Sequence, residues 1–265
     1  MAVAHGGHRA MIRTAFTEQA ATFEDPSLNV AFVSGLPWLL DLAEPRTDDV
    51  CLDVAAGTGL VARALAPRAA RVLAVDITPA MVQAGARQAR QEGVDVAFVL
   101  GDATALPVAS AVCSLVLTRF TVHHLEEPMQ LLREMVRVCR AGGRLVVKDL
   151  VASPDPALAR EQDRVENLRD PSHLRMPTQG AVGTWLRDLG LEVTRQELAS
   201  VHRPVEQWLR QAVTPEPAAG QVRAAFEAEL AGGVPTGLRP SRSRGELWFT
   251  QNWEVTVAVR PNPHG

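Results

Sequence analysis

Between residues 49 and 150, short β-branched runs alternate with longer Ala-, Leu- and Arg-rich segments, a pattern that belongs to strand and helix units wound around a parallel sheet. DVCLDV at 49–54 reads as the first strand, followed by Leu60, Val61 and Leu65 at helical spacing, with Pro67 as a stop. RVLAVDI at 71–77 is the second strand. Thr78 is placed to cap, and Pro79 to open, a helix that ends at Glu92 before Gly93. VAFVL at 96–100 and SLVLTRF at 114–120 follow, both apolar enough for a sheet covered on its two faces. Residues 126–139 set Leu131, Leu132, Met135 and Val138 on one helical face. AGG at 141–143 then turns the chain into a fifth strand, RLVVKDL.

Beyond Leu150 the regularity lapses into a polar, Pro-bounded stretch that ends in RDPSHLR. A helix over 178–190 and a sixth strand, LEVTRQEL, come next, and GELWFTQ and NWEVTVAVR are expected to close the sheet as an antiparallel pair. Upstream, residues 27–43 are apolar enough for a covering helix kinked at Pro37. The start of the chain, with His5 and His8 among glycines, reads as a mobile leader and not as a metal site.

The first strand runs directly into DVAAGTG, where Gly57 and Gly59 let the backbone turn tightly at a helix N-terminus and approach a ligand closely. Two glycines alone are a weak signal. Three acids sharpen it: Asp53 before the turn, Asp76 at the end of the second strand, and Asp102 at the end of the third. All fall on one sheet edge, where Asp76 can take ribose hydroxyls and Asp102 an adenine amino group. A helix cap is the alternative duty for each of them. A carboxylate beside the turn repels a diphosphate and attracts a cation, so Asp53 favours S-adenosylmethionine over a nicotinamide dinucleotide. The chain also lacks GxGxxG and, having no Tyr, any TyrxxxLys pair.

DVAAGTG, VDITPAM, GDATALP and LTRFTVHHL resemble the successive motifs of class I methyltransferases, particularly the group similar to ubiquinone and menaquinone biosynthesis methyltransferases. The resemblance covers about residues 10–150 and implies S-adenosylmethionine as cofactor. It places Asp53 near the methionyl end, Asp76 on the ribose, Ile77 and Met81 beside the adenine, and Asp102 with Ala103 at the adenine edge. Ala55 stands where the family's motif has glycine, and its Cβ is expected to hold the backbone at negative φ with slightly more room.

Methyl transfer to a phenol, a carbon acid or a protonated amine calls for a base, usually histidine. His123 and His124, just after the fourth strand, are the candidates, with one of them expected to point inward; His173 in RDPSHLR is a third. Loop capping is the plainer reading of all three. Arg119 is expected to shape the cofactor pocket or bind an acidic group. Trp208 and Trp248 are candidates to line an aromatic acceptor pocket, Trp185 is expected in the core, and Phe16 and Phe23 are expected to shield the cofactor.

With 27 Lys and Arg against 30 Asp and Glu, net charge −3, the chain has no excess of positive charge for nucleic acid. Cys51, Cys113 and Cys139 lack CxxC spacing and read as core residues, and no segment resembles a signal peptide or membrane span. The expectation is one cytoplasmic α/β domain, monomer or homodimer, acting on a small molecule. Its Rossmann-like sheet is seven-stranded and mostly parallel, with helices on both faces, an antiparallel closing strand and helical cap insertions. Residues 1–43 form an N-terminal cap, 44–150 the cofactor-binding core, and 151–177 and 199–244 substrate-side insertions. The acceptor is expected to be quinone-like, phenolic or another secondary metabolite. The alternatives are an NAD(P)-dependent oxidoreductase, or a binding protein or cyclase-like enzyme that uses S-adenosylmethionine as a scaffold.

Overall fold

A computed structural model describes residues 2–25, 28 and 33–262, with side chains from residue 7 onward. Five parallel strands form the centre of the sheet: β1 (Val50–Val54), β2 (Arg71–Asp76), β3 (Ala97–Leu100), β4 (Cys113–Arg119) and β5 (Cys139–Val151). Beside them run β6 (Glu192–Pro204), the short β7 (Ser241–Ser243) and β8 (Glu246–Val259). The order is β3-β2-β1-β4-β5-β8-β6, with β7 on β8, and β8 is antiparallel to each of its neighbours. The strands of the parallel centre are apolar throughout because both faces are covered. Leu52, Val54 and Val116 pack on one side with Leu131, Leu132 and Met135. Cys51, Leu115 and Leu117 pack on the other with Leu39, Leu40 and Leu65. All three cysteines are buried and free, as expected.

The helices are α1 (Ala2–Gln19), α2 (Leu36–Ala43), α3 (Leu60–Leu65), α4 (Pro79–Glu92), α5 (Pro128–Val138), α6 (Pro156–Arg169), α7 (Ala181–Asp188), α8 (Val205–Gln211) and α9 (Glu216–Leu230). The face predicted for 126–139 is buried as a unit. Gly93 ends α4 at φ +68°, a left-handed position at which glycine escapes the Cβ penalty. Beyond the sheet's carboxyl edge, Val165, Val205, Trp208, Val222, Phe226, Leu238 and Phe249 form a separate cap core. None of the described helices is long and apolar enough to cross a membrane.

Five expectations are corrected. GELWFTQ and NWEVTVAVR are one strand: Gln251 and Asn252, polar enough to suggest a turn, pair with Val201 and Ser200 on β6 and continue the ladder. β6 itself runs on to Pro204, which removes 199–204 from the second insertion. Residues 139–143 join β5, Cys139 pairing with Cys113, and a register shift between Cys113 and Leu115 absorbs the glycines. Pro37 lies in the first turn of α2, where it lacks nothing, so there is no kink; residues 26, 27 and 29–32 lie outside the described residues. The leader, too, is helical. It is docked by Arg9 to Asp102 at 3.0 Å and by His8 Nε2, 2.8 Å from the carbonyl of His124, while the side chain of His5 lies outside the described residues.

Candidate active site

Strand order reverses at β1, so the connections leaving β1 and β4 diverge and open a crevice at their carboxyl ends. A continuous cavity fills it, from the ends of β1, β2 and β3 to the cap, roofed by Arg9, Ile12, Phe16 and Phe23. Asp53, Ala55, Gly57, Asp76, Ile77, Asp102, Ala103, Arg119, His123 and His124 all line it. Three expected site residues do not. Gly59 leaves room for Phe98, whose ring would stand 2.7 Å from an added Cβ; Met81 is fully buried; His173 lies behind the wall.

The turn after β1 is tighter than the sequence suggested. Ala55 has φ +54°, where negative φ was expected, and Gly57 and Gly59 follow at +58° and +74°. Two backbone bonds hold it, from Ala56 N to Val75 O at 3.0 Å and from Gly59 N to Ala56 O at 2.9 Å. The left-handed alanine costs about 1–2 kcal/mol that glycine would not. Arg63, which the sequence reading passed over, braces the far side: 4% exposed, it bonds Thr58 O, Gln88 Oε1 and the carboxylates of Glu24 and Glu92. Its interior position in a short helix gave no sign of that duty.

Each acid accepts from backbone N–H groups and lines the cavity. Asp53, 2% exposed, accepts from Ala62 N at 3.0 Å; burial pushes its carboxyl up to about 7, against the pull of Arg119. Asp76 accepts from Gly57 N at 2.7 Å and Thr78 N at 2.8 Å, and burial raises it in spite of both bonds. Asp102 accepts from Thr104 N at 2.8 Å, its other oxygen facing Arg9. Arg119 is drawn down to about 10 by burial, with Asp53 and Glu24 opposing. A cationic adenosyl ligand fits this half. A positive group beside Asp53 favours its ionised form, and Gly57 leaves open the space in which a Cβ would meet the Phe23 ring at 3.3 Å.

The two histidines on the short helical turn Val122–His124 differ in environment. His123 Nδ1 contacts Asp149 Oδ1, while Asp149 Oδ2 accepts from Thr121 N at 3.0 Å and Val122 N at 2.7 Å. Burial pulls the imidazole down, but Asp149 outweighs it and the net shift is upward. His124 donates from Nδ1 to Ser172 O at 3.0 Å; burial and the neighbouring His123 push it down to about 3, so it is neutral. His173 Nε2 is 2.8 Å from Asp163 Oδ1, and its ring packs 5.4 Å from that of His123. Asp149 was missed in the sequence, although an acid at the end of the fifth strand, level with the other three acids, was there to be read.

The other half of the cavity belongs to the cap. RDPSHLR contributes Arg169 and Asp170, whereas Arg175 is exposed; Arg203, Trp208, Gln211 and Gln251 come from β6, α8 and β8. Trp248 lines a second cavity that shares Arg203 and Trp208 with the first, and Trp185 packs against the core. Lys148, next to Asp149, is fully buried among Trp38, Trp253 and Phe120 at 4.7, 4.9 and 5.7 Å, its Nζ donating to Gly35 O at 2.9 Å.

A methyltransferase-domain family model matches residues 52–147. An uncharacterized methyltransferase of Bacillus subtilis, YcgJ, is 28% identical over 208 residues, 76% of this chain and 80% of that protein. A demethylmenaquinone methyltransferase of Clavibacter sepedonicus is 31% identical over 199 residues, 66% of this chain and 80% of the relative. A crystal structure from Bacillus halodurans, described as that of a methyltransferase, superposes with TM-score 0.78 at 25% identity, covering 86% of this chain and all of that one. The nicotinamide alternative fails on these relationships, and the cofactor is S-adenosylmethionine. The chain belongs to the class I S-adenosylmethionine-dependent methyltransferases, in the group of the ubiquinone and menaquinone biosynthesis enzymes.

Proposed function

We propose that the enzyme methylates a small quinone-like or phenolic acceptor, with His123 as general base. One observation carries the reading: a histidine held by a buried carboxylate lines the same cavity as Asp53, Asp76 and Asp102. S-adenosylmethionine supplies a methyl group on sulfonium, a leaving group that needs no acid. The chain's own groups therefore have to position the acceptor, exclude water and remove one proton.

In this reading Asp76 takes the ribose hydroxyls with the lone pairs its backbone bonds leave over. Asp53 faces the methionyl ammonium, and Asp102 accepts from the adenine amino group once it shares its outer oxygen with, or parts from, Arg9. Ile77 and Ala103 flank the base, and Phe16 and Phe23 close the roof. The bond to Asp149 fixes the Nδ1–H tautomer of His123 and leaves Nε2 basic. His124, neutral and tied to Ser172, orients the loop, and His173 packs behind His123. A phenol or an acidic carbon suits such a base, and the Clavibacter relative is named for a quinone precursor.

Calorimetry with S-adenosylhomocysteine, followed by labelled methyl transfer to a panel of phenols, quinols, carbon acids and amines, tests the reading. Saturable binding and a labelled phenol or quinol product are expected. Binding without any labelled product would favour a scaffold role, and no heat alongside clear NADH binding would remove the cofactor as well.

A further inference from the structure

The cavity's two ends differ in their charged groups. Asp53, Asp76 and Asp102 line the end at β1–β3 together with Arg9 and Arg119, whereas Arg169 and Arg203, with Asp170 beside them, line the cap end. Arg203 is 4% exposed and donates to two neutral side-chain amides, Gln211 Oε1 at 2.8 Å and Gln251 Oε1 at 3.3 Å. Gln251 is locked in turn, accepting from Trp253 Nε1 at 2.9 Å and donating to Glu166 Oε1. Arg169 lies 5.1 Å over the Trp208 ring and donates from Nε to Trp208 O at 3.1 Å. Glu166 stands behind this wall, 3.6 Å from Arg169, and Asp170 is held by Ser172 through N at 2.9 Å and Oγ at 2.6 Å. The buried indole Nε1 of Trp208 has no acceptor among the described residues. Two guanidinium groups held by neutral amides and by the Trp208 carbonyl thus line the cavity as donors, which a ligand with anionic oxygens satisfies and an apolar ligand does not.

We propose that the acceptor carries a carboxylate, and that Arg169 and Arg203 bind it at the cap end, with Trp208 against its body. This rests on the cavity being the methyl-transfer site. It deepens that reading by giving the acceptor two ends: a nucleophile near His123 and an anion near Arg203. A guanidinium presents paired N–H groups that match the two oxygens of a carboxylate, and burial strengthens the contact.

The test is fluorescence and calorimetric titration of carboxylates against their uncharged amides, with S-adenosylhomocysteine present and absent. The probes are 4-hydroxybenzoate with 4-hydroxybenzamide, and decanoate with decanamide. At least one carboxylate is expected to bind roughly ten-fold or more tightly than its amide. Arg169→Gln and Arg203→Gln should each abolish that preference, and Arg169→Lys should keep part of it, while the affinity for S-adenosylhomocysteine stays unchanged as a check on folding. Equal affinity within both pairs, no binding of either carboxylate, or a preference that survives in both glutamine variants would overturn the proposal. Loss of S-adenosylhomocysteine binding in the parent protein would instead sink the methyl-transfer reading, because the carboxylate preference is measured without turnover.

Discussion

Asp149 holds His123 by its Nδ1 while the backbone N–H groups of Thr121 and Val122 hold Asp149. Strand β5 thus fixes the orientation of a side chain carried by the loop after β4. Because the net shift of His123 is upward, its base form is lost at a higher pH than that of a free histidine, near 6.5. The rate is therefore expected to rise with pH along an acid limb that lies above 6.5. Asp149→Asn should move that limb down and lower the plateau by about 10²–10⁴-fold, with S-adenosylhomocysteine affinity retained. A pH profile of kcat/KM for the two proteins checks this, and an unmoved limb would separate Asp149 from the base.

Asp76 joins Gly57 and Thr78 through its two oxygens, so its loss removes a ligand for the ribose and a brace for the loop together. Asp76→Ala should weaken S-adenosylhomocysteine binding by roughly 10–100-fold, and Asp76→Asn by less, since one acceptor oxygen survives. Calorimetry decides. Equal affinity in all three proteins would take Asp76 out of the site.

Ala55 is strained at φ +54°. Ala55→Gly relieves the Cβ clash but gives the unfolded chain more freedom, for a net gain of about 0.5–1 kcal/mol. Ala55→Val should be destabilising, because a β-branched residue tolerates this region least. Urea denaturation midpoints at constant slope measure both, and a glycine variant less stable than its parent would contradict the assignment of strain.

Burial and the nearby Arg119 pull Lys148 down to about 7, although three aromatic rings favour its charge. An unfolded lysine keeps its proton to about pH 10, so between the two values the unfolded chain binds more protons and stability rises with pH. Lys148→Met should flatten that rise and add on the order of 2 kcal/mol below pH 7. Denaturation curves at pH 6, 8 and 9.5 would show it.

The cavity end at β1–β3 was legible because its signals are local. Asp53, Gly57, Asp76 and Asp102 each sit at a strand end or turn, and residue type with short-range spacing reveals them. The cap end was not. Arg169, Arg203 and Gln251 come from three distant segments, and they meet only because β6 and β8 run further than their polarity suggested. Ala55 misled for a related reason: the preference of one residue yielded to the hydrogen bonds of its neighbours, Ala56 and Gly59.

Strand β8 is one unbroken rod. Its Val257 packs under the parallel sheet, while its Phe249 lies inside the cap's own core, with Gln251 between them at the cavity wall. The cap cannot melt and leave the sheet whole without tearing that strand from β6, so thermal unfolding should show one endotherm rather than two, and neither half should survive limited proteolysis without the other. The shape of the cavity is thereby mortgaged to global stability: a change that remodels its wall from β8 is felt across the whole fold.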